Sequence, residues 1–94
     1  MARGGKGKGP GAWQRSVAYR TVLEKVVQAR KAAGMTQRDV ATALEKPPSW
    51  IARIETRERR MDVLEFIAIA RAVKMKEGDL LREVSAALPR KLDI

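Results

Sequence analysis

Residues 35–55 read MTQRDVATALEKPPSWIARIE, and the way they coil and turn decides the fold. Thr36 followed by Asp39 has the spacing of a capping box, with aspartate in place of the usual Glu or Gln, so a helix starts here. Val40, Ala41 and Leu44 supply its buried face. Glu45 and Lys46 then form a short link. Proline breaks helices from within, yet Pro48 suits the first position of a helix, where its missing N–H would have had no partner. Pro47 keeps Lys46 extended and so fixes the turn. In the helix that follows, Ile51 and Ile54 face inward while Trp50, Arg53 and Arg57 project from other faces. The two prolines therefore set the angle between two short helices.

Working outward, residues 1–12 hold five glycines and a proline with Arg3, Lys6 and Lys8 among them. Such a stretch cannot bury apolar surface or hold a helix, so residues 1–14 are expected to be a flexible basic arm and residues 15–94 the folded domain. From Ser16, a plausible N-cap, Tyr19, Val22, Leu23, Val26, Ala29 and Ala33 recur at helical spacing, and Gly34 is a natural stop. After the central pair, a fourth helix capped near Asp62 places Leu64, Ile67, Ala70 and Val73 in its stripe. A fifth carries Leu80, Leu81, Val84 and Leu88 along one side and ends at Pro89. The expected fold is all-α, with five short helices and no repeat.

Composition limits what such a domain does. Ninety-four residues allow one domain with a modest core. Aromatics are only 4% of the chain, so that core must be mostly aliphatic. No apolar stretch approaches the ~20 residues of a membrane span, and no secretory leader is apparent. With no histidine and no cysteine, the common zinc and haem ligand sets and the Ser-His-Asp and Cys-His nucleophile systems are out of reach. The carboxylates form no D-x-D pair. The reading is no enzyme, no metal and no cofactor. The charge of +9 is segregated: residues 1–60 carry 14 Lys/Arg against 5 Asp/Glu, and residues 61–94 carry six of each. Basic charge gathered in this way is a footprint for a polyanion.

Two short helices joined by a tight turn, the second bearing outward polar and basic groups, follow the helix-turn-helix plan. ARKAAGMTQRDVATALEKPPSWIARIETRERRMDVLEFIAIARAV resembles the lambda-repressor/Cro-like, xenobiotic response element (XRE) family of bacterial regulators, over about Tyr19 to Leu81. Its specific marks are AGMTQ, the IE that ends helix 3, and ERRMDVLEFIAIARA. The resemblance implies a five-helix DNA-binding domain with the helix-turn-helix at helices 2 and 3. It implies that Ser49 and Arg53 read base edges and that Gln37, flanked by Thr36 and Arg38, grips phosphate. Thr56 and the following Arg57, Arg59 and Arg60 match phosphate contacts, and Arg30 and Glu55 match a partly buried bridge between helices 1 and 3.

Three positions depart from the family pattern. Pro48 stands where a glutamine often reads adenine, which shifts base reading from Pro48 toward Lys46, Ser49, Trp50 and Arg53. Trp50 has an equal rival role, packing over the start of helix 4. Glu45 and Arg57 stand where turn glycines are common. At Glu45 a positive φ would cost roughly 1 kcal/mol, and Arg57 suggests that helix 3 runs on past Thr56.

Together these expectations describe a double-stranded DNA-binding transcriptional regulator, a repressor acting as a homodimer on an inverted repeat, in the bacterial cytoplasm and on the nucleoid when bound. Leu81, Val84, Leu88 and Leu92 are the candidate dimer contacts. No effector domain is expected after the helices. The alternatives are an antitoxin that represses its own operon, with a toxin as partner, and an adaptor resembling the multiprotein bridging factors, with polymerase or other protein contacts.

Overall fold

The computed structural model describes residues 13–94; the arm residues Arg3, Lys6 and Lys8 lie outside that range. Five helices account for the described chain: α1 (Val17–Ala32), α2 (Gln37–Ala43), α3 (Pro48–Glu55), α4 (Val63–Ala72) and α5 (Glu77–Ala87). A short 3-10 turn, Trp13–Arg15, precedes them. It begins inside the stretch read as an arm, because Trp13 has a partner: its ring meets Tyr19 edge to face at 5.2 Å.

Helix starts follow local chemistry. Thr36 and Asp39 form the capping box, with the Asp39 N–H donating to Thr36 Oγ1 at 3.0 Å and the Thr36 N–H donating to Asp39 Oδ2 at 2.8 Å. Asp62 and Glu65 repeat the device at α4. Pro48 opens α3, with Pro47 extended before it (φ −67°, ψ 150°).

The first four helices share one closure. Gly34, Glu45, Arg57 and Lys74 all lie in the left-handed region, at φ 72°, 57°, 65° and 65°. After each, the next N–H reaches back to close a Schellman motif, as Lys46 does to the Ala41 carbonyl at 2.9 Å and Glu58 to Arg53 at 2.8 Å. Glu45 thus keeps the positive φ that its position requires. Arg57 does the same, and α3 stops at Glu55 instead of running past Thr56.

The core is aliphatic. Val26, Val40, Ala41, Ile51, Ile54, Ala70 and Leu80 are fully enclosed, joined by Leu23, Ile69, Val73, Val84 and a single phenylalanine, Phe66. Two assignments need correcting. Leu64 is 72% exposed, and the buried stripe of α4 is Phe66, Ile69, Ala70 and Val73. A strict spacing of three drifts by about 60° per step on a helix of 3.6 residues per turn, so Leu64 and Val73 end on opposite faces. Val84, expected at a dimer contact, is 3% exposed and belongs to the core, with Leu88 packed against it; Leu81 and Leu92 stay exposed.

One tie spans the whole domain. Asp93 reaches the N-terminus of α1, accepting from Ser16 Oγ at 2.9 Å and from the Val17 and Ala18 N–H groups at 2.6 and 2.9 Å. The α1 start is the positive end of the helix dipole, and these donors favour the charged carboxylate. The Ala18 and Val17 amides, with the Ser16 hydroxyl, bring Asp93 down to a pKa of about 2. Because the folded pKa is depressed, the stabilisation is complete above the ordinary carboxylate value and is lost as pH falls toward 2. Thermal unfolding from pH 5 to 2 should therefore show a steeper acid loss for the parent than for Asp93→Asn, and the variant should melt lower at neutral pH.

Candidate nucleic-acid interface

The orientation of α3 follows from what grips its two flanks. On one flank Glu55 meets Arg30 of α1 in a two-pronged pair, Nε to Oε2 at 2.7 Å and Nη2 to Oε1 at 2.9 Å. Both side chains are enclosed, 10% and 7% exposed. The third face of the guanidinium donates from Nη1 to the Met35 carbonyl at 2.8 Å, in the turn before α2. Gln37 Nε2 also donates to Glu55 Oε1, at 2.8 Å. One carboxylate thus joins α1, α2 and α3, with every strong donor around it matched.

On the other flank Trp50 is half-buried against the core and against the start of α4. Glu65 is held below its usual carboxyl range by Arg59 first, with help from the Asp62 backbone and the adjacent Trp50 indole. The Arg59–Glu65 pair is 2.7 Å long. Trp50 therefore packs, and the Lys46 ammonium lies over its ring at 5.8 Å.

With Ile51 and Ile54 turned inward and the flanks occupied, a step of about 100° per residue leaves Ser49 and Arg53 on the outer face. Both are exposed. Arg53 has only a loose neighbour, Glu58 at 4.0 Å with both side chains well hydrated, so its guanidinium is free to swing. Pro48 and Lys46 are exposed at the leading end of the same helix.

The residues around this face fall into two groups. Thr36, Gln37 and Arg38 sit at the start of α2, where free N–H groups and the dipole favour an anion. Gln37 is half-buried and its amide is committed to Glu55, whereas Arg38 is exposed. In the loop after α3, the Thr56 hydroxyl is bonded locally to the Ala52 carbonyl and Glu58. Its single proton serves one of these acceptors at a time. Arg59 is occupied by Glu65. Among the described residues, Arg57 and Arg60 pair with no carboxylate, and Arg60 stacks over Trp13 at 5.9 Å.

The sequence reading missed three contacts that shape this loop. They are the Asp62–Glu65 box, the Arg59–Glu65 pair and the Met61 N–H bond to the Tyr19 hydroxyl at 3.1 Å. The box was visible as Asp62 followed three positions later by Glu65; the other two join distant residues and have no local signal. Among the described residues no group of three His, Cys, Asp or Glu could hold a metal ion, and no helix is long and apolar enough to cross a membrane.

A short helix laid outward, braced on both sides and preceded by a second short helix packed against it, defines a helix-turn-helix DNA-binding regulator of the lambda-repressor-like type. Residues 26–84 match the family described as a helix-turn-helix domain, and the chain belongs to it. Among solved structures it is similar to an XRE-family like protein from Pseudomonas syringae pv. tomato str. DC3000, with 36% identity and a TM-score of 0.72 over 77% of this chain and 88% of that one. No curated protein sequence shows significant similarity to it.

The brace generates a stability prediction. Glu55→Ala leaves the Arg30 guanidinium enclosed without its partner, which should cost on the order of 3 kcal/mol. Denaturant unfolding measures it, and a variant as stable as the parent would show that the bridge holds nothing.

Proposed function

We propose that this protein is a sequence-specific repressor that binds an inverted-repeat operator in double-stranded DNA as a homodimer. The supporting observation is the roll of α3: the braces at Glu55 and Trp50 leave Ser49 and Arg53 outward on a helix of the right length for the major groove. Arg53 is the principal base reader, suited to the O6/N7 edge of guanine, and Ser49 contacts a neighbouring base. Lys46 and Pro48 border that contact, and Trp50 supports it from behind. Arg38, Arg57 and Arg60 anchor phosphates, with the free N–H groups at the start of α2. Arg59 contributes indirectly, through its pair with Glu65. The protein acts in the cytoplasm, on the nucleoid, without a cofactor or a catalytic step.

Selection from a random duplex library, followed by footprinting, tests the reading. It should return an inverted repeat whose half-sites lie about one DNA turn, ~34 Å, apart or a multiple of it. Selection that returns no motif would overturn it. Arg53→Ala should then weaken operator binding by roughly 1–3 kcal/mol more than it weakens binding to random DNA. Arg38→Ala should weaken both alike and lower the salt slope by about one unit per protomer. Titrations of both variants on both DNAs separate the two roles.

On this reading residues 1–12 add charge to the same surface. This stretch enters the fold at Trp13, beside Arg60, and brings Arg3, Lys6 and Lys8 without any acid. Extended, its dozen residues span roughly 40 Å, enough to follow the duplex into an adjacent groove. Deleting residues 2–11 should leave unfolding unchanged but lower affinity and flatten the salt dependence of binding. Superimposable titrations at several salt concentrations would remove the arm from the interface.

A further inference from the structure

α4 starts with two apolar side chains that have nothing to pack on. Val63 is 70% exposed and Leu64 72%. Leu64 stands on the lip of a groove floored by Leu44, Trp50 and Ala68, with Lys46 and Asp62 on its rim. Neither residue is needed to start the helix, which the Asp62–Glu65 box already does. An exposed leucine beside an apolar groove is a knob next to a hole.

We propose that this face is the docking surface for a second copy of the chain, with Leu64 of each protomer seated in the groove of the other. The inference rests on the homodimer reading and says where the dyad passes. Three observations favour a second copy as the occupant. First, a two-fold contact uses the same patch twice, so knob and hole must lie side by side on one chain, as they do here. Second, of the three charged residues that line the groove, Glu65 is paired with Arg59, which leaves one free charge of each sign, Lys46 and Asp62. Among the described residues Lys46 has no carboxylate partner, and Asp62 accepts only from the Glu65 N–H. A dyad through the groove brings Lys46 of one protomer toward Asp62 of the other, twice. Third, Trp50, which lines the groove, belongs to α3 itself. A dyad here passes close to both recognition helices, in keeping with the ~34 Å that separates adjacent half-sites on DNA.

The other apolar surface, Leu81 and Leu92, lies on α5 and the segment after it. α5 packs on α1 and α4, so an axis there sets a further layer of helix between α3 and the dyad. That surface is the rival site.

The chain has no cysteine, so single introduced thiols report the interface directly. Leu64→Cys and Leu81→Cys are each treated with a short bis-maleimide, with and without duplex DNA, while sedimentation gives the oligomeric state of the parent. Efficient covalent dimer from Leu64→Cys and little from Leu81→Cys is the expected result. The reverse, or no cross-link from either when the parent sediments as a dimer, overturns the proposed face and leaves the dimer reading standing. A parent that stays monomeric with and without DNA brings down the dimer reading itself. Leu64→Glu, checked for intact helicity, should raise the dimer dissociation constant roughly ten- to a hundredfold. A folded Leu64→Glu that dimerises like the parent overturns the proposal on its own.

Discussion

The Glu55 carboxylate is the point on which the rest of the structure turns. It sits at the end of α3, receives three hydrogen bonds from α1 and α2, and is almost wholly enclosed. An ion pair so placed adds little stability over well-packed apolar residues, because removing two charges from water is expensive. What it supplies is angle. A two-pronged guanidinium–carboxylate contact has one good geometry, so the roll of α3 about its own axis is set by chemistry at its far end. Trp50 closes the opposite flank against α4. Between them the outer face of α3 is fixed before DNA arrives, and none of its groups must be spent holding it in place.

That division of labour also sorts the basic residues. Charge alone would give Arg30, Arg53, Arg57, Arg59 and Arg60 the same role. The structure separates them by partner: Arg30 is internal, Arg59 braces the start of α4, Arg53 has only a distant carboxylate, and Arg57 and Arg60 have none among the described residues. The positive field is therefore delivered by fewer side chains than the composition suggests.

Local chemistry was legible in the sequence; distance was not. The Thr36–Asp39 box, the proline start of α3 and the stop at Gly34 each depend on residues within a few positions, and each could be read directly. Glu45 and Arg57 were harder, since a left-handed residue usually betrays itself as glycine. Here the Schellman closure holds non-glycine residues in that region three times, at a cost of roughly 1 kcal/mol each. The stripe of α4 was misread at Leu64 because a spacing of three resembles the helical period over two steps and departs from it by the third. Val84 was placed on a surface because its neighbour Leu81 truly is on one. Arg30 with Glu55 came from family likeness, and no spacing rule would have paired them. The Tyr19–Met61 bond and the Asp93 cap join residues 42 and more than 70 positions apart, where sequence offers no local signal.

The Asp93 cap has a consequence for the order of synthesis. Of the five described α-helices α1 leaves the ribosome first, yet the carboxylate that satisfies its opening N–H groups is added 75 residues later. Until then α1 has only Ser16 to hold its first turn, and its apolar stripe waits for α4 and α5. The helix that appears earliest is thus the one completed last. A nascent chain carrying α1 to α4 presents an open seam along α1, where α5 has yet to pack.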